Sequence, residues 1–302
     1  MHFVAFGGEF LKKTIERAYV EIGNICNLKC SFCPGTKRAP RRMSAQEFKH
    51  AAQNLFGVAE QLYLHVMGEP LLHPELSEIL YVAGTLGFKV SITTNGTLLD
   101  RCRDVLMEHS ETIHKVSISL HAHEANGINL SVDQYLNSVI SFAKEFALRD
   151  KNVVFRLWNL DTAERQGKNS ENTEILEKLH TEYPEEWQKR YSGYRLSYRT
   201  FLELDGIFTW PVESEELPKD TGKCHGLIQQ IGILADGTVV PCCLDSEGSI
   251  ALGNIFEQPI AQILSSPLAA AMKEGFKSGR MVHPVCKTCS YARRFSDSSD
   301  GR

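Results

Sequence analysis

The stretch "AYVEIGNICNLKCSFCPG" at residues 18–35 decides how the rest of the chain is read. Residues 18–25 are rich in apolar and β-branched side chains and end near a Gly-Asn pair, which predicts a first strand. Cys26, Cys30 and Cys33 follow at once, spaced C-x3-C-x2-C. Further units repeat the theme of a strand and then a helix. Strands are expected at 61–68, 88–96, 114–122, 152–160 and 194–204. Helices are expected at 44–57, 74–87, 98–110, 131–150 and 170–183, with Ser44 at the first start, Ser131 or Asp133 near the fourth and Gly87 closing the second. Six such units in a row imply parallel strands with right-handed crossovers, hence an α/β barrel or an open sheet. In either case the ligand site lies at the carboxyl ends of the strands. Cys26 to Cys33, Gly68-Glu69-Pro70, Thr94-Asn95-Gly96, His121 and Asn159 would all meet there.

The bulk composition narrows the chemistry. The chain has 302 residues, 42% of them hydrophobic, and a net charge of −4. It is long enough to bury a large core and carries no broad cationic footprint, so nucleic acid is not expected as a partner. The basic run from Lys37 to Arg42 reads as a solvated loop. No apolar run approaches the roughly 20 residues of a membrane span, and the N-terminus lacks the features of a secretory signal. A cytoplasmic, reducing location is therefore expected, where nine cysteines point to metal or redox chemistry rather than to disulfides.

Three thiols in eight residues do not make a structural zinc knuckle, which takes paired cysteines and four ligands. An iron–sulfur cube held by three thiolates keeps one iron open for an exogenous ligand. "CNLKCSFC" resembles the C-x3-C-x-φ-C signature of the radical S-adenosylmethionine (SAM) superfamily, with Phe32 as the aromatic φ. The resemblance implies a partial (β/α)6 barrel in which Cys26, Cys30 and Cys33 hold a [4Fe–4S] cluster whose open iron binds SAM. It also implies reductive cleavage of SAM to a 5′-deoxyadenosyl radical, hydrogen-atom abstraction from substrate, and an external one-electron reductant such as a flavodoxin or ferredoxin. "MGEP" (67–70) resembles the family's GGE segment, with Met67 in place of its first glycine; Gly68 and Glu69 would hold the SAM amine. Ser119 is similar to the residue that bonds the SAM ribose, and Arg156 to a basic partner of the SAM carboxylate. The plain readings are a strand-end hydrogen bond for Ser119 and a salt bridge across the barrel for Arg156.

The remaining cysteines are Cys102, which reads as core filler, and Cys224, Cys242, Cys243, Cys286 and Cys289. Asp236-Gly237 marks a hairpin turn between Cys224 and Cys242, and a helix is expected at about 258–276. The pattern resembles the start of a SPASM auxiliary-cluster domain, without the later cysteines of a second auxiliary cluster, and so matches the shortened Twitch variant. The resemblance implies a further [4Fe–4S] on Cys224, Cys242, Cys286 and Cys289; four thiolates also suit zinc. Adjacent residues of a hairpin face opposite sides, so only one of Cys242 and Cys243 can be a ligand. The other is packing, or a thiol that returns a hydrogen atom to a substrate radical. The expected organisation is a radical SAM core at 1–205, a linker at 206–220, a small β-hairpin/helix auxiliary-cluster domain at 221–292 and a tail at 293–302.

The layout resembles Twitch-type dehydrogenases that oxidise a secondary alcohol by two electrons, which implies a small alcohol or amino-sugar-like substrate. The alternative is a peptide-modifying maturase or epimerase working with a separate recognition protein. The 25 residues before Cys26 are too few for a built-in peptide-recognition fold of roughly 80 residues. A purely structural zinc protein gives "MGEP" no purpose, and RNA modification lacks a binding module. His65, His73, His121 and His123 are candidates for a proton acceptor, against the plainer reading of structural hydrogen-bonders. Trp158 and Trp210 are candidates for the cavity wall. The sequence names no catalytic side chain.

Overall fold

The computed structural model describes residues 15–126, 130–160, 169–206, 210–211 and 218–293. Its strands are β1 (Ile15–Val20), β2 (Ala59–Tyr63), β3 (Lys89–Thr94), β4 (Ile113–Ser119), β5 (Asn152–Leu157), β6 (Gln188–Arg190), β7 (Gly193–Ser197), β8 (Thr200–Leu204), β9 (Gln230–Ile233), β10 (Thr238–Val240) and β11 (Gly253–Asn254). All belong to one open sheet in the order β11-β10-β9-β1-β2-β3-β4-β5-β8-β7-β6. The run from β1 to β5 and on to β8 is parallel throughout. Helices α1 (Ala45–Leu55), α2 (Leu76–Thr85), α3 (Leu99–Glu108), α4 (Val132–Ala147) and α5 (Asn172–Glu182) supply the crossovers. This is the expected partial barrel.

The helices start where the sequence provides caps. Ser44 accepts from the Glu47 amide while the Glu47 side chain returns to Ser44, and Ser131 and Gln134 repeat the device at α4. Each box satisfies donors that a helix start would otherwise leave orphaned. The apolar faces of these helices meet the outer face of the sheet, where Phe48, Leu62, Ile79, Val116, Phe142 and Phe155 are fully buried. Each such side chain stabilises by roughly 1.5–3 kcal/mol relative to exposure. The inner face is polar: Tyr19 packs on Tyr63 at 4.8 Å between centroids, and the Lys115 ammonium lies 5.8 Å from the Tyr63 ring centre.

Several expected boundaries move. The first two strands stop earlier than their apolar patterns, because residues 22–24 leave the sheet to pair with 41–43. The stretch 194–204 is a hairpin rather than a single strand, and only its second half is the sixth parallel strand. Arg199 turns that hairpin with φ +56°, held by the Asp150 carboxylate at 2.8 Å. The helix expected at 258–276 is two, α6 (Ile260–Leu264) and α7 (Pro267–Lys277). Pro267 cannot donate to the preceding turn, and Ser266 caps the new helix instead.

The C-terminal hairpin turns at Gly237 with φ +86°, as Asp236-Gly237 predicts. It is not a free-standing sheet: β9 pairs in parallel with β1 from Arg17↔Gln230 to Val20↔Ile233. Short helices α8 (Pro284–Lys287) and α9 (Ser290–Arg293) follow. Most of the expected linker and nearly all of the expected tail fall outside the described residues. Among those described, no helix is long and apolar enough to cross a membrane.

Candidate functional site

Between β1 and α1 the chain makes a long loop whose neck is closed. The Asn24 amide donates to the Arg41 carbonyl at 3.1 Å and the Met43 amide to the Ile22 carbonyl at 2.9 Å. Cys26, Cys30 and Cys33 sit at the tip, where the Cys33 amide donates to the Cys30 carbonyl and forms a tight turn. The ends of neighbouring strands hold this tip. The Glu69 amide donates to the Ile25 carbonyl at 3.0 Å, Asn27 bonds both Asn95 and Thr97, and the Phe32 ring lies 4.8 Å from His121.

The closest approach is at Gly68, whose φ is +79° and where a Cβ would stand 2.3 Å from the Gly23 carbonyl oxygen. Only glycine permits that contact. Met67, at the position of the family's first glycine, is buried and gives its amide to Glu21.

A cavity of about 560 Å³ opens at this junction, lined by all three cysteines, Phe32, Gly68, Glu69, Thr94, Asn95, Ser119, His65 and Trp210. Glu69 is buried and accepts the Leu71 amide at 3.0 Å and the Asn95 amide at 2.8 Å. Burial pushes its carboxyl up to about 7 against the pull of those amides, so a cationic amine in the cavity would favour the carboxylate.

Of the expected residues, Arg156 is not on the cavity wall. Its Nε approaches Glu203 at 3.3 Å, out of line for a hydrogen bond, and its guanidinium covers the Trp158 ring at 4.5 Å. The pair joins adjacent strands rather than crossing the barrel, and Arg156 Nη1 reaches the cavity-lining Thr93 hydroxyl at 3.5 Å. Asn159 also turns aside, exchanging hydrogen bonds with Asn172.

The histidines separate. His73 bonds the Met43 carbonyl and the Glu75 amide. His123 bonds Glu171 and the Leu130 carbonyl, and His121 bonds the Arg156 carbonyl. These are structural contacts. His65 lines the cavity edge-on to Tyr19, its Nδ1 sealed without a partner, and burial holds it neutral down to about 3.

The C-terminal thiols also sort themselves. Cys242 feels Cys243, Cys224 and Cys286, and Cys286 feels Cys224 and Cys289. Burial, reinforced by this mutual repulsion, raises Cys224, Cys242, Cys243 and Cys286, Cys224 and Cys243 to about 11. Desolvated, crowded thiols of this kind fit a cationic cluster that holds them as thiolates. Cys243 also feels Cys224, but it bonds Tyr19 and packs against the small apolar cluster of Val66, Leu234 and Val240. Cys102 is buried core, as expected.

Two residues that sequence reasoning passed over organise the loop. Glu21 is fully buried and receives both terminal nitrogens of Arg38, at 2.6 and 2.8 Å, with the Met67 and Ala235 amides at 3.1 and 3.0 Å. Arg38 is therefore no solvated cation, the one member of the Lys37–Arg42 run that departs from the solvated-loop reading; Lys37, Arg41 and Arg42 are exposed. Arg41 is exposed yet bonds the Ala235 carbonyl and Glu47. The available signal was a lone acid inside an apolar strand-end run, which needs a partner if buried.

Comparison with known proteins agrees with this geometry. The family model described as the radical SAM superfamily matches residues 20–178. The SPASM model, described as an iron–sulfur cluster-binding domain, matches residues 224–290. Together they imply a SAM-binding [4Fe–4S] cluster, SAM itself and an auxiliary iron–sulfur cluster, in place of the zinc alternative.

A GTP 3′,8-cyclase of Chlorobaculum tepidum is 30% identical over 125 residues, 40% of this chain and 34% of that one. The chain spans 52% of a second such cyclase, from Synechocystis, at 27% identity. The subtilosin biosynthesis protein AlbA of Bacillus subtilis is 26% identical over 279 residues, 83% of this chain and 60% of its own. Among solved structures, BtrN in complex with AdoMet and 2-DOIA superposes with a TM-score of 0.57 at 19% identity, covering 91% and 93% of the two chains. SuiB of Streptococcus suis bound to S-adenosylmethionine gives 0.60 at 16%, covering 93% and 72%. These structures share the fold. The superfamily match itself takes in the cysteine loop, the MGEP segment and the strands that hold them, and on that ground the chain belongs to the radical SAM superfamily.

Proposed function

We propose that this enzyme abstracts a hydrogen atom from a side chain or backbone carbon of a peptide substrate. The observation that carries the reading is the AlbA alignment, which extends over 83% of this chain and belongs to a bacteriocin biosynthesis protein. Relatives of the same fold bound to peptides, SuiB with its precursor peptide SuiA and anSMEcpe with the Cp18Cys peptide, support it. When bound, SAM and its cluster supply reductive SAM cleavage and hydrogen-atom abstraction, and the auxiliary cluster supplies a one-electron acceptor; an external flavodoxin- or ferredoxin-type protein is the reductant.

This chain's residues do the rest. Cys26, Cys30 and Cys33 hold the first cluster, and Cys224, Cys242, Cys286 and Cys289 the second. Glu69 takes the SAM amine as a carboxylate, its two backbone donors fixing its direction. Ser119 meets the ribose from the end of β4. Phe32, Trp210 and the neutral His65 wall the cavity against water. A cavity of about 560 Å³ is the size of one drug-like ligand.

A second reading is two-electron oxidation of a small secondary alcohol. It is favoured by BtrN with 2-DOIA, whose length this chain matches almost throughout. On that reading the alcohol would give up a carbon-bound hydrogen atom, a proton and one further electron, for which the auxiliary cluster held by Cys224, Cys242, Cys286 and Cys289 would be the acceptor. Release of 5′-deoxyadenosine by the reconstituted, reduced enzyme separates the two. Stimulation by cysteine- and serine-bearing synthetic peptides upholds the first reading; stimulation by amino-cyclitol alcohols and not by peptides replaces it with the second.

A further inference from the structure

The loop carrying Cys26, Cys30 and Cys33 is held from two sides that differ in kind. At its tip it rests on the ends of β2 and β3 through Ile25 and Asn27. At its base three side-chain or backbone groups reach across to the C-terminal unit. Arg38 Nε donates to the Ser246 carbonyl at 2.8 Å, the Lys37 amide to the Glu247 carboxylate at 3.2 Å, and Arg41 Nε to the Ala235 carbonyl at 2.8 Å. Between them lies Glu21, whose Oε1 takes Arg38 and the Met67 amide while Oε2 takes Arg38 and the Ala235 amide. One buried carboxylate thus touches the cysteine loop, the MGEP segment and the turn after β9.

We propose that the C-terminal unit is a latch on the SAM-cluster loop, with Glu21 and Arg38 as its positioning pair. The cysteine loop keeps its cavity-lining shape only while the Ala235 turn and the Ser246–Glu247 segment are docked. The auxiliary unit then has a role besides electron transfer: its integrity sets the affinity of the first site for SAM. The physical reason is geometric. A bidentate guanidinium–carboxylate pair fixes both distance and plane, and the same two carboxylate oxygens also accept the Met67 and Ala235 amides, tying Arg38 to both segments. This inference rests on superfamily membership and on no choice of substrate.

The test uses full-length, anaerobically reconstituted protein and three variants read by amide hydrogen exchange, SAM affinity and the electron paramagnetic resonance change of the reduced first cluster on adding SAM. Arg38→Met is expected to speed exchange at 26–36 and at 235–247 together and to weaken SAM binding by about tenfold or more. The auxiliary iron should stay in place, and Arg38→Lys should fall between Arg38→Met and wild type. Glu247→Ala removes only a rim contact, tolerates folding and is expected to loosen the same two segments more weakly. The paired change Cys286→Ala/Cys289→Ala leaves the first three thiols intact, yet is expected to speed exchange at 26–36 and blunt the SAM-induced spectral change. Loosening confined to 235–247 in that double variant would overturn the latch. So would an Arg38→Met protein with unaltered SAM affinity.

Discussion

At the residue scale, Cys242 and Cys243 are neighbours with opposite surroundings. Both thiols feel Cys224, but only Cys242 feels Cys286, whereas Cys243 bonds Tyr19 and packs with Val66, Leu234 and Val240. Cys242→Ala is therefore expected to remove one cluster, about four irons. Cys243→Ala should keep the iron and sulfide content of wild type, with roughly 1–2 kcal/mol lost from the small cavity and the freed Tyr19 hydroxyl. Metal analysis and urea unfolding of both variants check this. Iron lost from the Cys243 variant would reverse the assignment.

His65 carries a pH effect whose sign is fixed by burial. Its ordinary value of 6.5 falls to about 3 in the fold because the charged ring is desolvated. The unfolded chain then binds a proton below 6.5 that the folded chain refuses until about 3. The His65 contribution is complete above 6.5 and is lost as pH falls through that window, at about 1.4 kcal/mol per pH unit. His121, lowered to about 4 chiefly by burial, adds in the same direction. Urea midpoints for wild type and His65→Gln should converge on acidification. A constant gap between about pH 7 and pH 5 would mean His65 is charged in the fold.

At the scale of elements, local chemistry wrote the helices clearly and the strand ends poorly. Ser44 with Glu47 and Ser131 with Gln134 form both halves of a capping box. Ser44→Ala should cost about 1 kcal/mol of unfolding free energy, seen as a lower urea midpoint with an unchanged slope. The cysteine spacing and the MGEP segment were likewise legible, because a loop that must hold a cluster tolerates few alternatives.

What the sequence hid were features decided by distant partners. Ile22 and Leu64 continue an apolar strand pattern, yet residues 22–24 peel away because 41–43 lie opposite them. Arg38 reads as a surface charge until Glu21, seventeen positions earlier in the chain, is placed beside it. Arg156 matched a family position, but its ion pair with Glu203 depends on a strand register that no local pattern specifies.

At the scale of the whole molecule, composition suggests a core, a linker and an appendage, while the sheet runs through both folded units without a break. β9 completes the hydrogen bonding of β1 on the side away from β2. Ile231, Ile233, Val239, Met272 and Phe276 join the same apolar cluster as the barrel residues. A chain ended at residue 205 would expose the β1 edge, an invitation to pair with another copy. It would also uncover the apolar side chains that met the C-terminal unit, and would strip the Ala235 amide from Glu21.

Losing those contacts outweighs the entropy gained by a shorter chain, since folding stability is a small difference between large terms. The truncated protein is therefore expected to keep much of its helical circular dichroism while losing its near-ultraviolet signal, to bind a hydrophobic dye, and to elute as aggregates. Its Cys26, Cys30 and Cys33 should retain iron poorly even though every ligand is present, because the base of their loop has lost Ala235, Ser246 and Glu247. A truncated monomer that unfolds cooperatively and loads about four irons would show instead that the barrel stands alone and that the shared sheet is incidental to its stability.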